Sequence, residues 1–283
     1  MAYRLLALDL DGTVLGESLK PTSAVREAIR VVQTQTEVRV VIATGRMFRS
    51  ALPIARDLGL AEPLIAYQGA LAQDVQTPYE RYYHSPIPLG LARQILAFAQ
   101  TERLAVNLYV DDVLYTNPEN AYAAQYEAIS GITPVVCDQL EERLVAPPSK
   151  MMIIEADRMP EIRRQLASRF EGRLDICLSR PSFCEIVNRD VSKWTALRCL
   201  ADRWGIATED IMAIGDQEND RSMIEQAGWG VAMGNAPETV KACANAVTRS
   251  VDEDGVAAAI ERWLLPQAAG NTQQAPQATV LTR

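Results

Sequence analysis

The chain has 283 residues, 48% of them hydrophobic and 23% charged, with a net charge of −8, a balance ordinary for a soluble globular protein of two domains. That acidity excludes an extended nucleic-acid surface, which needs clustered Lys and Arg, and no apolar run approaches the length that spans a bilayer. Five cysteines with no Cys-x-x-Cys pair fit neither a disulfide framework nor a zinc knuckle, so buried free thiols in a reducing compartment are expected.

Met1 to Arg4 leads straight into the apolar run Leu5-Leu6-Ala7-Leu8, leaving no room for a secretory leader. A cytoplasmic protein is the expectation. The run reads as a buried strand and ends in Asp9-Leu10-Asp11-Gly12-Thr13, two carboxylates two residues apart before a glycine turn. Such a pair suits metal-assisted chemistry, although an acidic turn has the same pattern. Val25, Ala28, Ile29 and Val32 then fall on one helix face after Pro21-Thr22-Ser23. Val38 to Ala43 is a β-branched strand ending at Thr44-Gly45-Arg46, and a helix follows to Leu58, with Pro53 as a kink or a true first turn. Leu64 to Tyr67 supplies a third strand. This alternation predicts parallel strands with right-handed crossovers.

From about Ala70 the pattern changes. His84, the only histidine, falls in a linker-like stretch with Pro86 and Pro88. A helix from Leu89 to Gln100 precedes a hairpin of Leu104 to Val110 and Val113 to Thr116, and a helix near Ala121 to Ile129 comes next. The strand Lys150 to Ala156, the helix Met159 to Phe170 and a hairpin of Arg173 to Ser179 and Phe183 to Val187 repeat the theme. An inserted α+β unit is the expectation. Lys150 is weighed as a substrate contact against a solvated strand end, and the solvated reading is favoured.

Around Asn188 the first pattern returns. Ser192 caps a helix with Leu197, Leu200, Ala201 and Trp204 on its apolar face, which puts Lys193 in the first turn, an electrostatically poor place for a cation. Ile211 to Ile214 is a further strand, running into Gly215-Asp216-Gln217-Glu218-Asn219-Asp220. The strand Gly230 to Met233, a helix after Pro237 and one from Gly255 to Leu264 follow. Residues 266–283, rich in Gln, Ala, Thr and Pro, are expected to be a disordered tail. Gly228, Gly230 and Gly234 are in the wrong register for dinucleotide binding. Asn235 reads equally as a helix cap or as a ligand contact.

Taken singly, Thr44, Lys193, Asp216 and Asp220 could be ordinary strand-end, solvated or turn residues. A parallel sheet brings its strand ends to one edge, where α/β proteins bind ligands. In order, Asp9-Leu10-Asp11-Gly12-Thr13, Thr44, Lys193 and Gly215-Asp216-Gln217-Glu218-Asn219-Asp220 resemble the four motifs of the haloacid dehalogenase superfamily of phosphohydrolases. Ala43-Thr44-Gly45-Arg46, Gly234-Asn235-Ala236 and the large insertion resemble its Cof-type, sugar-phosphatase-like group. Gln68 stands where an asparagine is expected, and Trp194 where a glycine is usual.

The resemblance implies an α/β fold, a Rossmann-like three-layer core with a parallel sheet from residues 1–83 and 188–265, and an inserted α+β cap over 84–187. It implies a Mg2+-dependent phosphatase of small phosphorylated metabolites, sugar phosphates or cofactor-related phosphomonoesters such as a flavin precursor. Asp9 would be the nucleophile and Asp11 the acid/base. Thr44, Gly45, Lys193 and Asn219 would bind phosphate, and Asp9, Asp11 through its carbonyl, and Asp216 would hold the metal, with Asp220 behind them. A phosphotransferase or mutase with the same intermediate, and a non-catalytic binding module, are the alternative readings.

Overall fold

The computed structural model describes residues 3–76 and 78–265. The chain opens with β1 (Leu5–Leu8), α1 (Ser23–Gln35), β2 (Arg39–Ile42), α2 (Phe48–Asp57) and β3 (Leu64–Ala66). All four residues of β1 are buried, as a strand covered on both faces requires. The Thr22 side chain caps α1 by accepting the Val25 amide, and Val25, Ala28, Ile29 and Val32 form its buried stripe. Pro53 lies inside α2 and does not end it.

The third strand departs from expectation. β3 meets the second strand's extension through a single parallel bridge, Ala43 to Ile65, and then pairs antiparallel with β4 (Leu71–Gln73), which pairs with β5 (Arg81–His84). The cause is the tight turn between β3 and β4, where Tyr67, Gln68 and Gly69 all take positive φ and send the chain back along itself. His84 is therefore the last residue of a strand, with the linker beginning after it.

The inserted unit contains α3 (Leu89–Glu102), β6 (Ala105–Val110), β7 (Val113–Thr116), α4 (Ala123–Ser130), β8 (Val135–Val136), β9 (Lys150–Ile154), α5 (Met159–Arg169), β10 (Leu174–Arg180) and β11 (Phe183–Asn188). Its six-stranded sheet has the order β10-β11-β9-β6-β7-β8. The pairings are antiparallel except that of β7 with the unanticipated β8. Alternation along the strands sorts the two faces. Val106, Leu108, Val110, Met151, Ile153, Cys184 and Ile186 pack with residues of α3 and α5, whereas Ala105, Tyr109, Met152, Ile154, Phe183 and Val187 join the cluster that continues into the first unit. The same period puts Lys150 and Glu185 on the face turned toward the core. Lys150 is 2% exposed, so the solvated reading of this lysine is wrong: its strand starts inside the seam between the two units.

The chain then returns through α6 (Lys193–Arg203), β12 (Ile211–Gly215), α7 (Arg221–Gln226), β13 (Trp229–Ala232), α8 (Glu238–Lys241), β14 (Ala246–Val247) and α9 (Gly255–Trp263). The core sheet has the order β14-β13-β12-β1-β2, with every pairing parallel. Leu5, Ala7, Val41 and Ala213 face Ala196, Leu197, Leu200 and Ala201 of α6. Leu6, Leu8, Val40 and Ile42 face Val25, Ile29 and Val32 of α1 and Val256 and Ile260 of α9. Three layers result, with β1 between β2 and β12.

Of the five free cysteines, Cys137 and Cys184 are buried, Cys199 and Cys243 half-buried and Cys177 exposed, so burial of the thiols is only partial. Among the described residues no helix is long and apolar enough to cross a membrane. The expected tail at 266–283 lies outside them.

Candidate active site

Leu8 is in register with Ile42 on one side and Ile214 on the other, so the residues that follow these three strands emerge at one edge. Asp9 is 4% exposed there, beside the fully buried Lys193 and Asp220 and the 2% exposed Asp216. The Lys193 ammonium donates to Asp9 Oδ1 at 2.5 Å and to Asp220 Oδ1 at 2.6 Å. Its position at the start of α6 is thus explained: two carboxylates outweigh the unfavourable helix dipole. Ser192 caps that helix by accepting the Thr195 amide. Gly69 lets the preceding turn lie flat against it, since a Cβ there would fall 2.0 Å from the Ser192 carbonyl oxygen.

Asp220 has both oxygens engaged. Oδ1 takes Lys193, while Oδ2 accepts the amides of Asp216 and Gln217, each at 2.9 Å. Asp216 accepts the Thr13 hydroxyl on Oδ1 at 3.1 Å and the Gln217 amide group on Oδ2 at 2.9 Å. Gly12, at φ +84°, permits this contact, because a Cβ would lie 2.3 Å from Asp216 Oδ2.

One lysine does not balance three buried carboxylates. Burial, then Asp220, pushes the Asp9 carboxyl well above the usual carboxylate range, with Lys193 pulling back and Asp216 adding to the rise. Burial and Asp220 likewise push Asp216 up to about 6. Burial works against the Lys193 charge, yet Asp220 and Asp9 outweigh it and raise this ammonium above its ordinary value. One carboxylate oxygen from each of Asp9, Asp216 and Asp220 lies within 4.8 Å of the other two. A hard divalent cation with oxygen ligands fits this donor set and would supply counter-charge.

Asp11 differs from its neighbour Asp9. Its side chain is 48% exposed and is gripped by the Arg46 guanidinium through two bonds, Nε to Oδ2 at 2.7 Å and Nη2 to Oδ1 at 2.6 Å. Thr44 is buried at the end of β2. Its amide bonds Ile65, its carbonyl accepts Gln68 and its Oγ accepts the Arg46 amide at 3.1 Å, which leaves the hydroxyl proton to donate. Gly45 gives its carbonyl to Lys150 at 2.9 Å. Asn219 donates to Gln68 Oε1 at 2.9 Å.

Asp9, Lys193, Asp216 and Asp220 are thus in one cluster, Asp11, Thr44 and Gly45 lie along its rim through Arg46, and Asn219 is reached through Gln68. Sequence reasoning assigned no role to Arg46, Thr13 or Gln217. All three stand inside the motifs and were visible only as filler. Asn235 does not cap the helix after Pro237: its amide nitrogen donates to the Gly12 carbonyl at 2.9 Å and to Asp216 at 3.4 Å, and its oxygen accepts the Val251 amide. It ties together loops separated by more than two hundred residues, a link with no local signal.

With buried carboxylates and a lysine at the edge of a parallel sheet and an antiparallel unit laid over it, the chain belongs to the haloacid dehalogenase-like hydrolases, whose family model matches residues 6–260. It is 32% identical over 285 residues to phosphatase YwpJ of Bacillus subtilis, covering 90% of this chain and 97% of the relative. It is 28% identical over 264 residues to the 5-amino-6-(5-phospho-D-ribitylamino)uracil phosphatase YitU of the same organism, covering 92% and 97%. A crystal structure of a haloacid dehalogenase-like hydrolase from Bacteroides thetaiotaomicron superposes with a TM-score of 0.85 at 32% identity, covering 92% of this chain and 99% of that one.

Proposed function

We propose that the protein is a magnesium-dependent phosphatase of small phosphomonoesters, working through an aspartyl-phosphate on Asp9. The observation that carries this reading is the asymmetry of the two neighbouring aspartates. Asp9 is buried against Lys193, among acidic groups, whereas Asp11 is half-exposed on a guanidinium. A nucleophile must be fixed and kept ionised, as Lys193 and a bound cation would keep Asp9, and a proton carrier must reach solvent and the leaving oxygen, as the half-exposed Asp11 would on leaving Arg46.

Asp9 and Asp216 would hold the cation, together with the Asp11 carbonyl, while Asp220, both of its oxygens occupied, orients Lys193 and the loop amides. When bound, the ion would offset the repulsion between the carboxylates and an incoming phosphate, about 4 kcal/mol per pair of unit charges at 4 Å. In the first half-reaction an Asp9 carboxylate oxygen bonds to phosphorus as the bond from phosphorus to the ester oxygen breaks. Asp11, turned from Arg46, gives the departing oxygen its proton. In the second, Asp11 takes a proton from a water whose oxygen bonds to phosphorus, and the acyl phosphate breaks to restore Asp9 and release inorganic phosphate. Thr44, the Gly45 loop, Lys193 and Asn219 supply donors and charge to the phosphoryl oxygens.

The unit over residues 84–187 would act as a lid that selects the leaving group. We propose sugar phosphates or a ribityl-type phosphomonoester, of the kind for which the relative YitU is named, as the substrate class. The test is phosphate release from a panel of phosphorylated sugars, polyols and cofactor precursors, with magnesium and with chelator. Magnesium-dependent release with kcat/KM ranked by leaving group is the expected outcome. Release unaffected by chelation, or transfer of the phosphoryl group to an added alcohol in preference to water, would overturn it.

A further inference from the structure

Gln68 is buried at 7% exposure and takes φ +62°, a left-handed conformation that costs a non-glycine residue free energy. No local need for a long side chain explains a glutamine in that conformation. Its amide explains it: Oε1 accepts Asn219 Nδ2 at 2.9 Å, and Nε2 donates to Glu185 Oε2 at 2.9 Å. Glu185 Oε2 also accepts the Lys150 ammonium at 3.1 Å, and that ammonium donates to the Gly45 carbonyl at 2.9 Å. The chain of bonds leaves the catalytic edge at Asn219, crosses into the inserted unit at Glu185 and Lys150, and returns to the catalytic edge at Gly45. Tyr109 completes its surroundings, with the Lys150 ammonium 5.0 Å from the ring centroid.

We propose that Gln68, Glu185 and Lys150 are positioning residues that make a competent catalytic edge depend on a seated cap. The inference rests on the phosphatase reading and deepens it. With the cap seated, Gln68 aims the Asn219 amide, and Lys150 fixes the Gly45 carbonyl between Thr44 and Arg46. With the cap lifted, Glu185 and Lys150 leave together as a neutral pair, so the Gly45 carbonyl loses its anchor and Gln68, which aims Asn219, loses the bond that holds it. Chemistry is thereby tied to closure, and the water-exposed open state is held inactive. Glutamine suits this relay because its amide presents an acceptor to the core and a donor to the cap from one rigid plane. Asparagine tolerates the left-handed backbone better and is one methylene shorter, so it cannot keep both bonds.

Gln68→Asn is therefore the decisive variant, since it relaxes the backbone while breaking the relay. Its melting temperature should equal or exceed that of the wild type, while kcat with a metabolite substrate falls about tenfold or more with a smaller change in KM. In a Lys150→Met/Glu185→Leu background, which removes both buried charges together, Gln68→Asn should lower kcat by less than twofold further, because the relay is already cut. Wild-type-like kcat in Gln68→Asn, or losses that multiply in full across the backgrounds, would overturn the relay. A wild-type chain that turns over no phosphomonoester brings down the reading of the site as well; an active wild type matched by Gln68→Asn brings down the relay alone.

Discussion

The catalytic edge of the core and the inward face of the cap both bury charge, but they balance it differently. At the edge, Lys193 faces Asp9, Asp216 and Asp220, and burial, reinforced by the surplus negative charge, pushes Asp9 and Asp216 up. On the cap, Lys150 faces Glu185 one to one, and burial, which opposes the lysine's charge, is outweighed by that partner so that its pKa rises. The edge buries more negative than positive charge, which fits the divalent cation proposed to bind there. The Lys150–Glu185 pair carries no net charge of its own, so it can leave the seam without stranding a single buried charge. An imbalance of buried charge marks where chemistry happens, and a balanced pair marks where parts are joined.

The sharpest way to break this comparison is to alter the edge itself. Asp9→Asn should lower turnover by at least about 10³-fold, roughly 4 kcal/mol of barrier, because the amide does not attack phosphorus. Lys193 keeps Asp220 as a partner, so the fold should persist. Asp11→Asn should lose about 10²–10⁴-fold, the range for a general acid/base, with the magnesium-induced stabilisation described next left intact. Turnover in Asp9→Asn at the wild-type rate, measured by phosphate release, would remove Asp9 from the mechanism.

A smaller effect is expected from the cation alone. If the edge is short of positive charge, magnesium at about 100 times its dissociation constant should stabilise the folded chain by about 2.7 kcal/mol, or roughly 5–10 °C for a chain of this size. Asp216→Asn should lose most of that gain, while the cap substitution Glu185→Gln, whatever its own stability, should keep it. The measurement is a melting curve with magnesium and with chelator for each variant. An equal gain in wild type and Asp216→Asn would place the ion elsewhere.

Much of the edge was legible in the sequence because its signals are local. An apolar run followed by Asp-x-Asp-Gly, a serine cap followed by lysine, and Gly215-Asp216 each announce a strand end or a helix start, and parallel topology does the rest. The cap was legible as hairpins and helices but not as a surface. Alternation shows that Lys150 and Glu185 share a face only once the register between β9 and β11 is known, and that register, Glu185 opposite Met152, is a long-range fact. Gln68 stood out as a departure from the expected asparagine, but its meaning required Asn219 and Glu185, more than a hundred positions away. The antiparallel turn of β3 was missed for a related reason, since positive φ at Tyr67 and Gln68 has no signature in residues that rarely adopt it.

The smallest expected effect lies at the joint between the two regions. His84 ends β5 and bonds Ser149 Oγ at 3.0 Å, beside β9 of the cap. Burial, with the Arg81 charge adding to it and Asp111 opposing, holds the imidazole below its ordinary value. The unfolded chain then binds the proton more readily than the folded one, so stability falls as pH drops below about 6.5 and levels off once pH is below the folded value. Asp216 at the catalytic edge, pushed up to about 6, titrates over an overlapping range with the opposite sign, so wild-type melting against pH does not isolate the histidine. The difference between wild type and His84→Gln does, since glutamine retains a bond to Ser149 and carries no charge. Between pH 7.5 and 5.5 the wild type should lose on the order of 1–3 °C more than the variant. Parallel curves would mean that the joint opens enough to solvate the imidazole, and that the cap is seated less firmly than its balanced Lys150–Glu185 pair implies.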